Sequence, residues 1–566
     1  MTSIASSSRN IHEYSVKTGP RRVFYPILLG LIVFILYFSG LGKIGLLGPD
    51  EPRYVAIARS MHLSGDFVTP KLFGEPWFEK PPLYYWLAAL SFHVGFDEMT
   101  ARLPSAISAT LFLFFWFLFL RRYFPRKTAL LSCIVLSTTV AWIALARAAS
   151  MDMLLSTTLC GALMLLAKWF WDEDQRALWG FYGLLGVSTL AKGFVGVALA
   201  ALISLAYIVN FRDWKMIRKM LWTPAILAFF AIALPWYVLC YIQNGYPFFK
   251  EFIIEHHLLR AVSAAVGHPQ PLWFYFPVLV AGLFPWSALI LLLLTGVTQV
   301  RFRELLRDRK LAFIFYWVTL PFIFFSVVQN KLPGYLLPIM PPLTLWIALR
   351  MTAGSTVGSP EAASPERKQT TTHATSKLAL WLVGISALLL LFVPVIQPII
   401  SSSLTSGLSS TIAEWNSRTV WNQIWHGEVP VALWLALLAI VVLSLGLLIR
   451  GKLLEGAVAI LFGVVLSLSI ITTFLSPSID RVASARRVAI RMEEIGVDPF
   501  ALGVFQVERN YHFQVNYYLN QAIPDWSPDS PNPAVKYVLT GKDTELANAT
   551  SLVLFPGPGL RLWELK

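Results

Sequence analysis

Apolar runs separated by short polar breaks fill most of the chain, and their length sets the reading. About 20 apolar residues are needed to cross the hydrocarbon core as a helix, and stretches of that kind begin near residues 23, 104, 129, 152, 177, 194, 221, 272, 311, 334, 378, 430 and 453. The pattern predicts thirteen spans. A shorter apolar stretch, 82–96, carries Ser91 and His93 and is predicted to lie along or dip into the interface. After residue 476 the pattern changes: 481–494 has helical periodicity, and 501–507, 535–540 and 551–556 read as short strands. The predicted fold class is therefore an all-α polytopic membrane protein, 1–476, with a small C-terminal α/β domain, 477–566. Residues 352–377, rich in Ser, Thr and Gly, are predicted to be a linker of low structural content. The two halves of the chain show no internal repeat.

Composition sharpens this picture. Of 566 residues 56% are apolar and only 14% charged, with a mean hydropathy of +0.61, well away from soluble-domain usage. The 21 Trp and 39 Phe suit aromatic belts at two lipid–water interfaces. The net charge of +14 sits in short runs between apolar segments: Arg121, Arg122, Arg126 and Lys127; Arg212, Lys215, Arg218 and Lys219; Arg301, Arg303, Arg307, Arg309 and Lys310. Such clusters mark cytoplasmic loops rather than a nucleic-acid surface, so no nucleic-acid partner is expected. With Arg9, Lys17, Arg21 and Arg22 also inside, the N-terminus is predicted to be cytoplasmic and the first span an uncleaved anchor. An odd number of spans puts the tail domain outside. Cys133, Cys160 and Cys240 lie in apolar stretches without a CxxC pair and read as small hydrophobes.

Three regions are then external and large enough for chemistry: 48–103, 243–271 and the tail. In the first, Asp50-Glu51-Pro52-Arg53-Tyr54 opens a helix in which Tyr54, Ile57, Ala58 and Met61 recur at helical spacing, as for a helix on the outer leaflet. Asp50 and Glu51 are read either as complementing the helix dipole or as working carboxylates. Glu79-Lys80-Pro81-Pro82 is a charged pair on stiff backbone, with Lys80 either snorkelling or meeting a lipid phosphate. Arg147 and Asp152 flank another outer turn, as a structural pair or as working groups. Lys192 stands without a sequence-local carboxylate and is a candidate anion contact. The second region holds Glu255-His256-His257-Leu258-Leu259-Arg260, where Arg260 suits bidentate phosphate recognition. Adjacent histidines cannot share one site on a helix, but one of them with Glu79 could hold a divalent ion. Lys331 and Tyr335 in Asn330-Lys331-Leu332-Pro333-Gly334-Tyr335 add a cation and a hydroxyl. All of these lie in outer turns, as expected for a cavity that a lipid phosphate enters sideways.

At these residues the chain resembles a known family. The run GPDEPRYVAIARSMHLSGDFVTPKLFGEPWFEKPPLYYWLAALSF, followed in order by ARLPSA, ASMDMLL, LAKG, EHHLLR, HPQPLWFYFPVL and NKLPGYLLPIMPPL, is similar to the bacterial aminoarabinose lipid A transferases. These are glycosyltransferases of GT-C architecture related to protein O-mannosyltransferases. The likeness covers roughly 25–350. It implies a bacterial inner-membrane enzyme taking a sugar from undecaprenyl phosphate to lipid A or another acceptor on the periplasmic face, working as a monomer among membrane lipids. It further implies Asp50 and Asp152 as catalytic residues, Lys80, Arg260 and Tyr335 as holders of the lipid phosphate, and Glu79 with His257 as holders of one divalent cation, Zn or Mg; Arg53, Arg147, Lys192 and Lys331, cations of the same outer turns, are further candidate phosphate or substrate contacts. The alternatives are a protein O-glycosyltransferase of the same fold, a polyprenyl-sugar flippase, and a sensor that uses its tail as receptor. His256 stands where relatives carry an acidic residue, which leaves the sugar open.

Overall fold

The computed structural model describes residues 30–259, 270–290, 302–352, 430–555 and 557–566. The starts of the spans expected near 23 and 378, the linker from 353 onward and Arg260 lie outside these residues, as do the side chains of His256 and His257.

The described chain is mostly helical. Helix α1 (Asp50–Ser64) carries Asp50 and Glu51 in its first turn and stops at Gly65, whose positive φ of 71° lets its N–H reach the Met61 carbonyl at 2.9 Å. A two-strand hairpin, β1 (Lys71–Leu72) and β2 (Glu75–Pro76), turns through Phe73 and Gly74 and leads to α2 (Leu83–Ser91). Helix α3 (Glu98–Tyr123) starts from a reciprocal cap, in which Asp97 Oδ1 accepts from the Thr100 amide (2.7 Å) and Thr100 Oγ1 accepts from the Asp97 amide (3.2 Å). Next come α4 (Arg126–Thr138) and α5 (Val140–Ala146), which meet at a bend of 62°. Helices α6 (Met151–Asp172) and α7 (Gln175–Lys192) are capped by the Ser150 and Asp174 side chains, and α8 (Val195–Phe211) and α9 (Ile226–Asn244) follow. After a short apolar helix at Leu272–Leu283 come α10 (Arg309–Val327), a 3-10 turn at Pro333–Ile339, α11 (Met340–Thr352), α12 (Val431–Ile449) and α13 (Leu453–Ile470).

Six of the described helices are long and apolar enough to span a bilayer, or seven if the bent α4–α5 pair counts as one span. Their outward faces expose large apolar side chains such as Phe114, Phe115, Leu118, Leu239 and Val442, the faces a bilayer would cover. The chain is a multi-pass membrane protein. Eleven of the thirteen expected spans begin among the described residues, and the helices found there are in several places shorter than a span. Val195–Phe211 and Leu272–Leu283 are short apolar helices, and the segment expected at 334 begins as a 3-10 turn broken by Pro338.

The tail is a compact α/β unit whose four strands β3 (Leu502–Phe505), β4 (Tyr537–Gly541), β5 (Ala549–Phe555) and β6 (Leu560–Leu565) are ordered β3-β4-β6-β5. The β3–β4 pair is parallel and the others are antiparallel. The expected helix over 481–494 is two helices, α14 (Ser476–Ala483) and α15 (Arg486–Ile495), separated at Ser484. Helix α16 (Arg509–Tyr518) and strand β6 were not foreseen. The α16 sequence RNYHFQVNYY is poor in strong helix formers, so its packing holds it.

That packing corrects one expectation. Helix α1 does not lie on a leaflet: Tyr54 through Ala58 and Met61 are all buried, around most of the helix. The α2 residues Tyr84, Tyr85, Ala88 and Ala89 cover it, with Ala101, Ala191 and Tyr517 of α16 in the same cluster. A second cluster joins Phe78 of the first loop to Leu190, Trp236, Cys240, Phe248 and Phe252. Cys160 and Cys240 are buried and unbridged and Cys133 is half-buried, as small core residues.

Candidate functional site

The site is assembled at the N-terminus of α1. Asp50 is half exposed and forms an ion pair one turn ahead with Arg53. The buried Arg53 also donates through Nη1 to Glu79 Oε2 (3.0 Å) and through Nε to the Pro49 carbonyl (2.9 Å). Lys80 Nζ meets the other oxygen of Glu79 at 3.2 Å. Burial works against the Arg53 charge, but the Glu79 and Asp50 carboxylates outweigh it and raise its pKa above the ordinary value. Next to this cluster the phenols of Tyr54 and Tyr85 are pushed well up, mainly by burial and further by Asp50 and Glu79, so both stay neutral donors at neutral pH.

Glu51, one residue along, does something the sequence did not reveal. Its carboxylate receives Arg102 in two bonds, Nε to Oε1 at 3.1 Å and Nη2 to Oε2 at 2.7 Å, plus the amides of Leu47 (2.7 Å) and Ala149 (2.6 Å). Arg102 spends its remaining donors on the carbonyls of Leu41, Ile44 and Gly45. Both residues are buried, and the pair ties the 41–45 segment, α1, α3 and the turn before α6 together. Helix-dipole complementation therefore describes Glu51 poorly: it is a knot between loops that orients Asp50 beside it.

The second carboxylate stands on α6. Asp152 pairs with Lys192, at the C-terminal end of α7. Lys192 Nζ also sits 4.4 Å over the centre of the Tyr335 ring, and the Asp50 carboxylate is near enough to add a small favourable charge interaction. Gly334 is pressed against Asp152: a Cβ there would lie 2.9 Å from Oδ2. Lys331 is buried and donates to the Gln270 carbonyl at 2.8 Å, with burial lowering its pKa.

Most of the candidate residues thus meet. Asp50, Arg53, Glu79 and Lys80 form one ion-pair chain, Asp152, Lys192 and Tyr335 a second, and Lys331 stands four residues before Tyr335. Lys192 is not isolated, and the Arg147–Asp152 pair considered from sequence does not form. Arg147 instead donates to the carbonyls of Leu36 (3.2 Å) and Ser39 (2.6 Å), ahead of α1. Arg260 and the His257 side chain lie outside the described residues. Among the described residues no group of three or more His, Cys, Asp and Glu is placed to hold a metal.

Chemically, two carboxylates backed by buried cations can receive a phosphate among the cations while leaving one half-exposed carboxylate, Asp50, for the reacting carbon or its acceptor. The dolichyl-phosphate-mannose-protein mannosyltransferase family model matches residues 79–238. An undecaprenyl phosphate-alpha-4-amino-4-deoxy-L-arabinose arabinosyl transferase of Pseudomonas fluorescens is 32% identical over 355 residues, 60% of this chain and 62% of that protein. Its Pseudomonas aeruginosa counterpart is 32% identical over 333 residues, 57% of this chain and 59% of its own length. The match therefore spans about three fifths of the length of these relatives. In three dimensions the chain is similar to ArnT from Cupriavidus metallidurans, solved bound to undecaprenyl phosphate, with a TM-score of 0.73 and 21% identity over 96% of this chain and 98% of that one. The apo form of that ArnT gives 0.72, with 20% identity over the same shares of each chain. Over 96% of its length the chain is similar in fold to that ArnT, and a stretch of 60% of its length resembles the aminoarabinose transferases in sequence.

Proposed function

We propose that the protein is an integral-membrane glycosyltransferase that moves a sugar, aminoarabinose or a close analogue, from undecaprenyl phosphate to lipid A or a similar acceptor. The observation that carries this reading is the pair of carboxylate centres, Asp50–Arg53–Glu79–Lys80 and Asp152–Lys192–Tyr335, drawn from separate loops into one region. In the proposed topology thirteen spans cross a bacterial inner membrane, with the N-terminus cytoplasmic and the site and tail domain periplasmic.

The reaction is direct displacement at the anomeric carbon. The bond from that carbon to the phosphate oxygen breaks, the acceptor oxygen forms the new bond, and the polyprenyl phosphate leaves with the electron pair. Lys80, Lys192, Lys331 and Arg260, with the Tyr335 hydroxyl, stabilise the charge that develops on the leaving oxygen. Arg53 is assigned to holding Asp50 and Glu79 while adding positive potential. Arg147 would reach a phosphate only by giving up two carbonyls. For a hydroxyl acceptor Asp50 takes the proton; for a phosphate acceptor, already ionised, it orients the acceptor and steadies the positive character of the sugar carbon. Asp152 holds Lys192 in place. A divalent ion on Glu79 and His257 fits less well, because both Glu79 oxygens already meet cations, and no step is drawn through one.

Liposomes test transfer against flipping. With a sugar-labelled undecaprenyl-phosphate donor in one leaflet and acceptor lipid present, the transferase separates label from the polyprenyl chain and Asp50→Ala does not. Label that changes leaflet with the donor intact would replace this reading with transport.

A further inference from the structure

The tail domain does not hang free of the site. Arg59 on α1 donates to the Tyr517 carbonyl (3.2 Å) and to Asn520 Oδ1 (2.6 Å), and its guanidinium lies 4.7 Å over the Tyr517 ring. The Leu46 amide donates to the Tyr518 hydroxyl (2.9 Å), which in turn donates to Glu98 (3.0 Å). The Gly45 amide donates to Asp480 Oδ1 at 2.8 Å, and Arg486 bridges Asp480, Glu98 and the carbonyls of Gly42 and Lys43. This seam runs along the segment that leads into Asp50.

One contact goes further, into the site. The Arg53 guanidinium lies over two rings, Trp77 of the first loop at 5.8 Å and Phe513 of α16 at 5.0 Å. Ion pairs hold that cation through Asp50 and Glu79, and the two rings add cation–π contacts, the shorter one from the tail. Without the tail that contact would be lost, and Arg53 could rotate about its long side chain, carrying with it the carboxylate it aligns.

We infer that the tail domain completes the candidate active site, with Phe513 as a positioning residue that acts on Asp50 through Arg53. As a statement about catalysis this rests on the transferase reading above. Phe513→Leu fills much of the ring's volume without a π face, and Phe513→Tyr restores the face, so the pair separates stacking from bulk. In full-length protein in nanodiscs, Phe513→Leu is expected to lower kcat about threefold to thirtyfold, the range a stacked cation supports, with the KM for donor unchanged. Amide exchange over residues 47–54 is expected to speed in the same variant, and Phe513→Tyr to return both readouts toward wild type. Equal behaviour of the two variants in activity and exchange would overturn the inference, as would joint loss of activity with a lowered unfolding temperature. If the wild-type protein transfers no sugar, the transferase reading fails by itself and exchange decides: faster exchange in Phe513→Leu alone keeps the positioning role, and no difference removes it.

Discussion

Asp50 and Glu51 are neighbours in unlike surroundings, and those surroundings give them different expected parts. Asp50 is half exposed and has one ion-pair partner, whereas Glu51 is buried under Arg102 and two backbone amides. With a hydroxyl acceptor, Asp50→Asn is therefore expected to cut transfer by about 10²- to 10⁴-fold, the range for a lost proton acceptor, with unfolding temperature close to wild type. Glu51→Gln should instead cost about 3–5 kcal/mol of stability, because Arg102 is left buried without its counter-charge; thermal unfolding in detergent separates the two variants. Gly334→Ala makes a third prediction. Its new Cβ would crowd Asp152 Oδ2 at 2.9 Å, an overpacking that should cost about 1–3 kcal/mol of stability, with activity falling as Asp152 is displaced although no charged group has been removed. The sequence made the charged candidates visible because charges are scarce in a chain of this composition. It hid their pairing: Lys192 and Asp152 are 40 positions apart and Glu51 and Arg102 51 apart, and nothing in local spacing joins them.

Helix α1 shows where periodicity misleads at the scale of an element. Tyr54, Ile57, Ala58 and Met61 mark one apolar face, as expected for an interfacial helix, but Val55 and Ala56 are buried as well, and α16, more than 440 residues later, covers part of the surface that lipid was expected to meet. Small residues such as Ala56 carry too little hydrophobicity to announce a second contact face. Three of the four tail strands were readable from the sequence pattern, whereas β6 and α16, the latter with its aromatic residues and Val515, were not. The hairpin after α1 carries a pH prediction. Burial alone would raise the Asp66 pKa, but the amides of Thr69 and Val68 and the Lys71 ammonium outweigh it and leave it below the ordinary carboxylate value. A depressed folded-state pKa means that its stabilisation is present above the unfolded-state value of 3.8 and is lost as pH falls through the folded value. Protection of the Val68 and Thr69 amides, measured against their intrinsic exchange rates, should fall across that acid window in wild type and be low at every pH in Asp66→Ala.

Across the described residues, the apolar helices supply lipid-facing walls and the segments between them supply charge, and the two are locked by contacts between residues far apart in sequence. Hydropathy alone revealed the membrane class and the change to a helix-and-strand unit in the tail. The helix ends were less legible, because Pro338 and the α4–α5 bend interrupt apolar runs that read as continuous. The account stands on Asp50 and Asp152 serving one transfer reaction on a polyprenyl phosphate sugar. Mass spectrometry of purified protein in nanodiscs with undecaprenyl-phosphate aminoarabinose and lipid A tests that directly. Free undecaprenyl phosphate should appear together with lipid A heavier by one sugar, and both should vanish in Asp50→Ala and Asp152→Ala. Donor and acceptor left unchanged by the folded wild-type protein, or the same products from both variants, would contradict it.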